Sequence, residues 1–498
     1  MLVLAPYSNK GKAMKYNDTR GGDQKDLKDI LIGGTSPTGG LYVPETIPQF
    51  SPEKIAQLKN LSYTDFAFEV LYPFMEGSIK PDDLKNILRA SYGPQFESNP
   101  VAPLVHIDGQ DDNRYFLELF HGPTLAFKDY ALQFVGRLFS HFLKESGEKI
   151  LILVATSGDT GGAAIEAFRG MDNIDIVVMH PHNGISEMQR KQMAGVIAPN
   201  VFNIALEGAF DDCQNIMKAA FKDEALNAKR KIVAVNSVNW ARLMTQLVYH
   251  AWSSLHASEN GERVNIVIPS GNYGNMHSAW VAKQMGFPVG ELVVATNQND
   301  ALVRFFETGE IKLVKAKPSH APSMDINIPS NFERFLHVLY VGQYGAQQGP
   351  ALLKEHMEAV GKTGVLKVPQ EIWQAARQHM QATRCSDAEI LEHMREYHAL
   401  NGNRMDPHTA AGYHALVALD LAGPTVVNAT AHVGKFAEAD LKATGSVGEL
   451  PPRLKALQKA EERYTVLPNN YDAVRDFVGA VIEGQPQAHA RLAQAATP

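Results

Sequence analysis

Cysteine is scarce in this chain: Cys213 and Cys385 are the two in 498 residues. So few, so far apart, exclude a disulfide framework and fit a reducing cytoplasm. Neither has a cysteine or histidine neighbour at zinc-site spacing, so no structural metal is expected. Charge of one sign is not in excess either. Forty-seven Lys and Arg face 54 Asp and Glu, a formal charge of -7, which offers no electrostatic attraction to nucleic acid or anionic lipid. No apolar run approaches the ~20 residues that cross a bilayer. The opening six residues are too few, and lack the basic leader, for a signal peptide. Internal repeats and low-complexity tracts are also missing. What remains is a chain of 45% hydrophobic and 20% charged residues, long enough for two or three globular domains.

Residues 1–13 read as an upstream start or as an appended leader of cloning origin and are left out of the fold reading, which begins at Met14. Residues 14–100 mix loops, a strand at 41–43 and three helices, near 52, over 62–74 and over 81–91; they form a mixed N-terminal α/β region. From 101 the pattern becomes strand, helix, strand, helix. Short strands at 104–107 and 115–119 lead to a helix after Lys128. Strands at 149–155, 174–179, 201–206, 231–235, 264–268 and 292–296 alternate with helices. The continuous apolar runs are those of parallel strands buried on both faces, so the pattern predicts βαβ units. This core spans 101–445, with a smaller mobile lobe nested around 125–235. Residues 310–420 are expected to be mostly helical, with one last strand at 424–430. The stretch 446–498 is read as a helical extension whose tail loosens after Pro486.

The chemistry gathers around one lysine. Gly122 and Pro123 make a turn, Thr124 offers a cap, and the apolar spacing after Lys128 is helical. A lysine at a helix start among apolar side chains has a lowered pKa and forms a Schiff base with an aldehyde; the competing reading is a solvated lysine paired with Asp129. Downstream, Thr156-Ser157-Gly158-Asp159-Thr160 follows a buried strand and opens a helix. It reads equally as a carboxylate or phosphate cradle at a helix N-terminus and as a tight turn capped by Ser, Asp and Thr. A second turn, Gly271-Asn272-Tyr273-Gly274-Asn275, has the same context. It is neither a Walker loop nor a dinucleotide fingerprint, and a nest for a single phosphate fits it better than a plain turn. An amine for an aldehyde, a cradle for its phosphate and a holder for an amino-acid carboxylate are the demands of pyridoxal phosphate. Thr430, at a strand end, supplies a neutral hydroxyl for the pyridine nitrogen.

With those residues in place, the chain resembles threonine synthases, fold-type II pyridoxal-phosphate enzymes with a tryptophan synthase β-like α/β fold of two parallel-sheet lobes. The resemblance is carried by 121–129, 155–162 and 269–275. Similar pieces are Thr19-Arg20-Gly21, 39–44, 236–242 and 322–334, so it runs from about 14 to 440. Length at the N-terminus and after 300 resembles the bacterial and fungal branch. Asp159 stands where sister dehydratases and sulfhydrylases usually carry Asn, and Tyr273 replaces the commoner Phe, adding a hydroxyl beside the cradle.

The resemblance implies conversion of O-phospho-L-homoserine and water to L-threonine and phosphate. It further implies that Lys128 binds pyridoxal 5'-phosphate and moves protons, that 271–275 hold the cofactor phosphate, and that Thr430 meets the ring nitrogen. Thr156, Ser157, Asp159 and Thr160 are then expected at the substrate carboxylate. Asn236, Ser237, Asn239, Arg242 and Ser323 are candidates for the substrate phosphate. For Arg242, a surface ion pair at a helix start is an equal reading. The alternative within the cofactor class is a phospho-lyase releasing 2-oxobutyrate, ammonia and phosphate; outside it, a phosphometabolite-binding protein without covalent chemistry. No metal, nucleic acid or membrane partner is expected, and the enzyme is expected to be a cytoplasmic monomer or homodimer. His180 and His182 read as a surface loop, and His432 as a packing residue.

Overall fold

The computed structural model describes residues 4–6, 13–111 and 113–485. Most of the segment 1–13 and the tail after Pro486 lie outside the described residues, although Leu4–Pro6 forms a strand parallel to Ile47–Gln49. The described chain divides into two compact units, one of Met1–Leu31, Thr35–Ala131 and Ser237–Gly448, the other of Ile32–Gly34, Leu132–Asn236 and Glu449–Pro498.

The first unit is built on six strands in the order Gln381–Arg384, Val289–Thr296, Val264–Pro269, Thr425–Ala429, Arg114–Glu118, Leu104–His106. All neighbours are parallel except the last pair. Val264–Pro269 and Thr425–Ala429 are buried along their whole length, which is why they read as mainly apolar runs, interrupted by Asn265 and Asn428, rather than as alternating ones. Val267, Val293, Val427 and Ala429 pack against Ala410, Ala411 and Ala415 of the helix Pro407–Ala418. Each fully buried Val or Leu side chain contributes about 1.5–3 kcal/mol. The helix Trp240–Ala257 is buried on nearly every face. Helices Pro52–Leu58 and Tyr63–Met75 begin at Ser51 and Ser62, whose side chains accept from backbone N–H groups of the first turn. The helix Pro81–Ser91 starts with proline at its first turn.

The second unit has a five-stranded, wholly parallel sheet in the order Lys231–Val233, Ile150–Ala155, Ile174–Pro181, Val201–Glu207, Thr465–Pro468. Ile216, Met217, Phe477 and Val478 cover one face. The two parallel sheets are those expected of a fold-type II enzyme. Two expectations need correction. The stretch 446–498 is not only helical, because Thr465–Pro468 adds an edge strand before the helix Tyr471–Ile482. The stretch 310–420 is mostly helical as expected, with the short edge strand Gln381–Arg384 within it. His180 does not lie in a surface loop; it is buried at the end of Ile174–Pro181. Among the described residues no helix is long and apolar enough to cross a membrane.

Candidate active site

Three neighbouring parallel strands of the first unit end at the predicted site. Val264–Pro269 runs into the 270–275 turn, Thr425–Ala429 into Thr430, and Arg114–Glu118 into the stretch that reaches Lys128. Carboxyl ends of parallel strands are where open α/β sheets bind ligands. The Lys128 stretch is tied to Thr430 by backbone pairing: Phe127 N–H donates to the Thr430 carbonyl (2.9 Å) and His432 N–H to that of Leu125 (3.1 Å). Ala126 and Ala431 form an antiparallel bridge between them, and Leu125 turns the chain with φ 59°.

Lys128 opens the helix Lys128–Ser146. Its Nζ lies 5.0 Å from the centre of the Phe127 ring and 3.5 Å from the Ser323 hydroxyl. The reading in which Asp129 pairs with it is not borne out. Asp129 is wholly buried and accepts instead from Thr124 N–H (2.8 Å) and Oγ1–H (2.7 Å). Thr124 therefore does not cap the helix with its own oxygen; it is the donor. Burial pushes the Asp129 carboxyl up to about 6, against the pull of those two hydrogen bonds and of the Lys435 charge. Lys435, also buried, donates to the Thr124 carbonyl at 2.9 Å.

The 271–275 turn opens the helix Gly274–Gln284, whose first-turn N–H groups have no acceptor within the helix. Gly271 is pressed against the Ser323 carbonyl, where a Cβ would stand 2.4 Å from the oxygen. Asn272 offers its carbonyl to Asn331 N–H and Nδ2–H, both at 3.1 Å. Asn275 Oδ1 accepts from Tyr249 (2.9 Å) and His250 (2.5 Å), and burial holds the imidazole of His250 down at about 3, so it donates as a neutral ring. That leaves Asn275 Nδ2, together with Ser270 Oγ, buried without a partner. Two orphaned polar groups beside a helix N-terminus fit an anionic ligand such as the cofactor phosphate. Tyr273 sits in the left-handed region (φ 64°), and its hydroxyl is bonded to Met380 Sδ at 2.7 Å. The expectation of an added hydroxyl beside the cradle is thus corrected: the ring packs on Phe332.

The candidates for the substrate phosphate divide. Ser323 is at Lys128, and the Ser237 carbonyl accepts from Asn331 Nδ2 at 3.2 Å, beside Gly274. Asn239 serves as a helix cap: fully buried, it accepts from Ala241 N–H and donates to the Leu31 carbonyl. Arg242 is not a surface residue. It is 3% exposed, and burial pushes its guanidinium down to about 10, with the Tyr249 phenol pulling the other way. Asn236, which belongs to the second unit, directs its amide at Met217 Sδ (4.0 Å).

The 156–160 turn, in the second unit, follows Ile150–Ala155 and opens Asp159–Phe168. Two of its four candidates hold the turn itself. Thr156 Oγ1 accepts from Gly158 N–H (2.9 Å) and Gly161 N–H (3.0 Å). Asp159 accepts from Gln189 Nε2 (3.1 Å) and is buried. Gly158 has φ 138°, and a Cβ there would strike the Gln189 side chain. Ser157 and Thr160 are the partly exposed pair. His432 packs edge-on against Phe120 and accepts from Gly434 N–H.

Sequence reading missed Asp406, His408 and Asn331. The first two carried a legible helix-start signal, Asp followed by Pro at the first turn; Asn331 lies within the 322–334 piece that resembles the family, but nothing in its residue type pointed to Asn272.

Family models for "Threonine synthase N terminus", "Pyridoxal-phosphate dependent enzyme" and "Threonine synthase, C-terminal" match residues 15–92, 98–344 and 409–478. A threonine synthase of Pseudomonas aeruginosa is 44% identical over 93% of this chain and 98% of its own length. The chain belongs to the threonine synthase family. A threonine synthase structure from Brucella melitensis, described as PLP bound, superposes with TM-score 0.89 at 38% identity, covering 94% of this chain and 99% of that one. The yeast threonine synthase structure gives 0.89 at 33% identity, covering 95% and 99%. The family's cofactor is pyridoxal phosphate, and the lysine, the orphaned donors at 270–275 and the neutral hydroxyl at 430 fit it.

Proposed function

We propose that this threonine synthase family member converts O-phospho-L-homoserine and water to L-threonine and phosphate, with Lys128 as the cofactor lysine. The observation that carries the reading is the delivery of Lys128, the 270–275 cradle and Thr430 by the ends of three adjacent parallel strands. When bound, pyridoxal phosphate supplies the electron sink that acidifies the C–H bonds of an attached amino acid. Lys128 Nζ would hold the cofactor at its aldehyde, and its free amine would take and return protons at the substrate Cα and Cβ. The first-turn N–H groups after Gly271, with Asn275 Nδ2 and Ser270 Oγ, hold the cofactor phosphate. Thr430 Oγ1 would face the ring nitrogen as a neutral hydroxyl partner. Ser157 and Thr160 orient the substrate carboxylate, while Thr156 and Asp159 keep their turn in shape. Ser323 Oγ, beside Lys128 Nζ, receives the amine's hydrogen bond between proton transfers. Ser237 contributes at the substrate phosphate, and Arg242 supplies buried positive charge there. We read the protein as cytoplasmic on its two buried free cysteines, and as a monomer or homodimer.

The test is incubation of the purified protein with phosphohomoserine, measuring threonine and free phosphate together. Equal amounts of the two, with no turnover by Lys128→Ala, support the reading. Phosphate with 2-oxobutyrate and ammonia identifies a phospho-lyase instead, and no phosphate release overturns it.

A further inference from the structure

The first unit contains a buried Asp–His pair that no part of the reaction above uses. Asp406 caps the helix Pro407–Ala418 and accepts from His408 N–H, Thr409 N–H and the Thr409 hydroxyl. The same carboxylate lies 2.7 Å from His408 Nδ1. Asp406 is 1% exposed and His408 3%, and the Phe436 ring packs against the imidazole at 5.0 Å. A carboxylate at Nδ1 fixes the imidazole proton there and leaves Nε2 as an acceptor. The donor that Nε2 receives is the backbone N–H of Ser323, at 3.2 Å.

Ser323 sits in a single 3₁₀ turn, Pro322–Met324, closed by Met324 N–H to the Ala321 carbonyl (3.0 Å) and Asp325 N–H to the Pro322 carbonyl (3.2 Å). Three of its atoms are committed. The N–H is held by His408, the hydroxyl stands 3.5 Å from Lys128 Nζ, and the carbonyl abuts Gly271 in the phosphate turn. Moving this residue disturbs the amine and the cradle together.

We propose that His408, locked in one tautomer by Asp406, is a positioning residue for the reaction at Lys128. It clamps the 322–324 turn and so sets both the Ser323 hydroxyl and the wall of the cofactor-phosphate cradle. The inference rests on Lys128 being the cofactor lysine. It assigns Asp406 and His408 an effect transmitted through Ser323, with no contact to substrate.

Asp406→Asn is the first test, because it keeps the shape and the capping oxygen that faces Thr409, changing only the Oδ1 that faces His408. Its amide donates to Nδ1, moves the ring proton to Nε2, and sets that N–H against the Ser323 N–H, donor to donor. The loaded full-length enzyme is expected to keep its fold and cofactor while turnover falls about ten- to a hundredfold, the scale of a misplacement near 1 Å. Two readouts other than activity accompany this. The pH midpoint of the bound cofactor's visible absorption band shifts, and cofactor release on dialysis quickens several-fold. His408→Phe removes the acceptor at similar bulk, and His408→Gln restores an oxygen acceptor; glutamine is expected to recover about tenfold over phenylalanine. In a Ser323→Ala background, Asp406→Asn is expected to cost much less than in the parent, because the hydroxyl it places is already gone. Should His408→Phe fail to fold, the Asp406→Asn cycle with Ser323→Ala decides alone. Asp406→Asn within twofold of the parent and with an unchanged absorption titration overturns the proposal, as does full multiplication of the two losses. A parent enzyme that releases no phosphate sinks the reaction assigned above, while the absorption and release measurements still judge the clamp.

Discussion

Replacing Gly271 by alanine tests the cradle and the lysine in one step. The added Cβ would lie 2.4 Å from the Ser323 carbonyl oxygen and 3.4 Å from Met324 Cα and Ile326 Cγ1. Gly271 has no unusual φ, so the cost is steric and not conformational. An ordinary contact begins near 3.4 Å, so roughly 1 Å of separation has to be found. The obstacle is backbone and cannot swing aside, so either the phosphate turn or the 322–324 turn gives way. Overpacking of this kind costs about 1–3 kcal/mol. The Lys128–Ser323 and Ser323–His408 contacts, at 3.5 and 3.2 Å, have no slack to absorb the shift. Cofactor affinity is expected to fall at least tenfold by equilibrium dialysis, and turnover by roughly a hundredfold. Gly361→Ala is the control: it is exposed, helical and has nothing within 4 Å, and is expected to gain about 0.5–1 kcal/mol without touching activity. Gly271→Ala with parental cofactor affinity and turnover would refute the crowding of the cradle by Ser323.

Two further outcomes follow from burial. Asp129 titrates near 6 when folded, against the ordinary 3.8, so the folded chain binds more protons than the unfolded chain between those values. Its contribution is fully present below pH 4 and declines as pH rises through 6, by about 3 kcal/mol over the window; Asp129→Asn, compared with the parent by denaturant unfolding at pH 4 and 7, is expected to remove that slope, and an unchanged slope rejects the assignment. Both cysteines are buried thiols, with burial pushing Cys213 up to about 12 and Cys385 upward likewise; a chromogenic disulfide reagent at pH 8 is expected to find neither thiol in the native chain and both in guanidinium, and fast native labelling contradicts the packing.

The apolar strands were legible because burial on both faces leaves few polar positions to confuse the period: 150–155 and 264–269, the latter with Asn265 alone among apolar residues, read within a residue or two of their observed limits. The lysine and both turns were legible because glycine, a helix start and a preceding strand occur together. What failed was side-chain direction. Asp129 follows Lys128 in sequence, but the helix sends successive side chains about 100° apart, and the carboxylate turns inward to Thr124. Asn239 reads as an anion ligand as well as a cap, because caps and anion sites recruit the same residue types. Thr465–Pro468 escaped because an edge strand, half exposed, lacks the apolar run of its central neighbours.

The same distinction explains why the site's supports were harder to find than the site. Lys128 and the 271–275 turn each sit within one contiguous motif, whereas His408 meets Ser323 across 85 residues and Lys435 meets Thr124 across 311. Local sequence records what a residue can cap or donate to; only the sheet order determines which distant turn it reaches. In this unit the strand Thr425–Ala429 lies between Val264–Pro269 and Arg114–Glu118, so residues just beyond 429 must fall between the cradle and the lysine. Thr430 therefore owes its place to strand order, and Lys435, six residues past that strand, reaches back to the turn that presents Lys128. A site assembled this way is positioned by the sheet and trimmed by buried polar pairs. Loss of one such pair is accordingly expected to alter geometry at the lysine before it alters the fold.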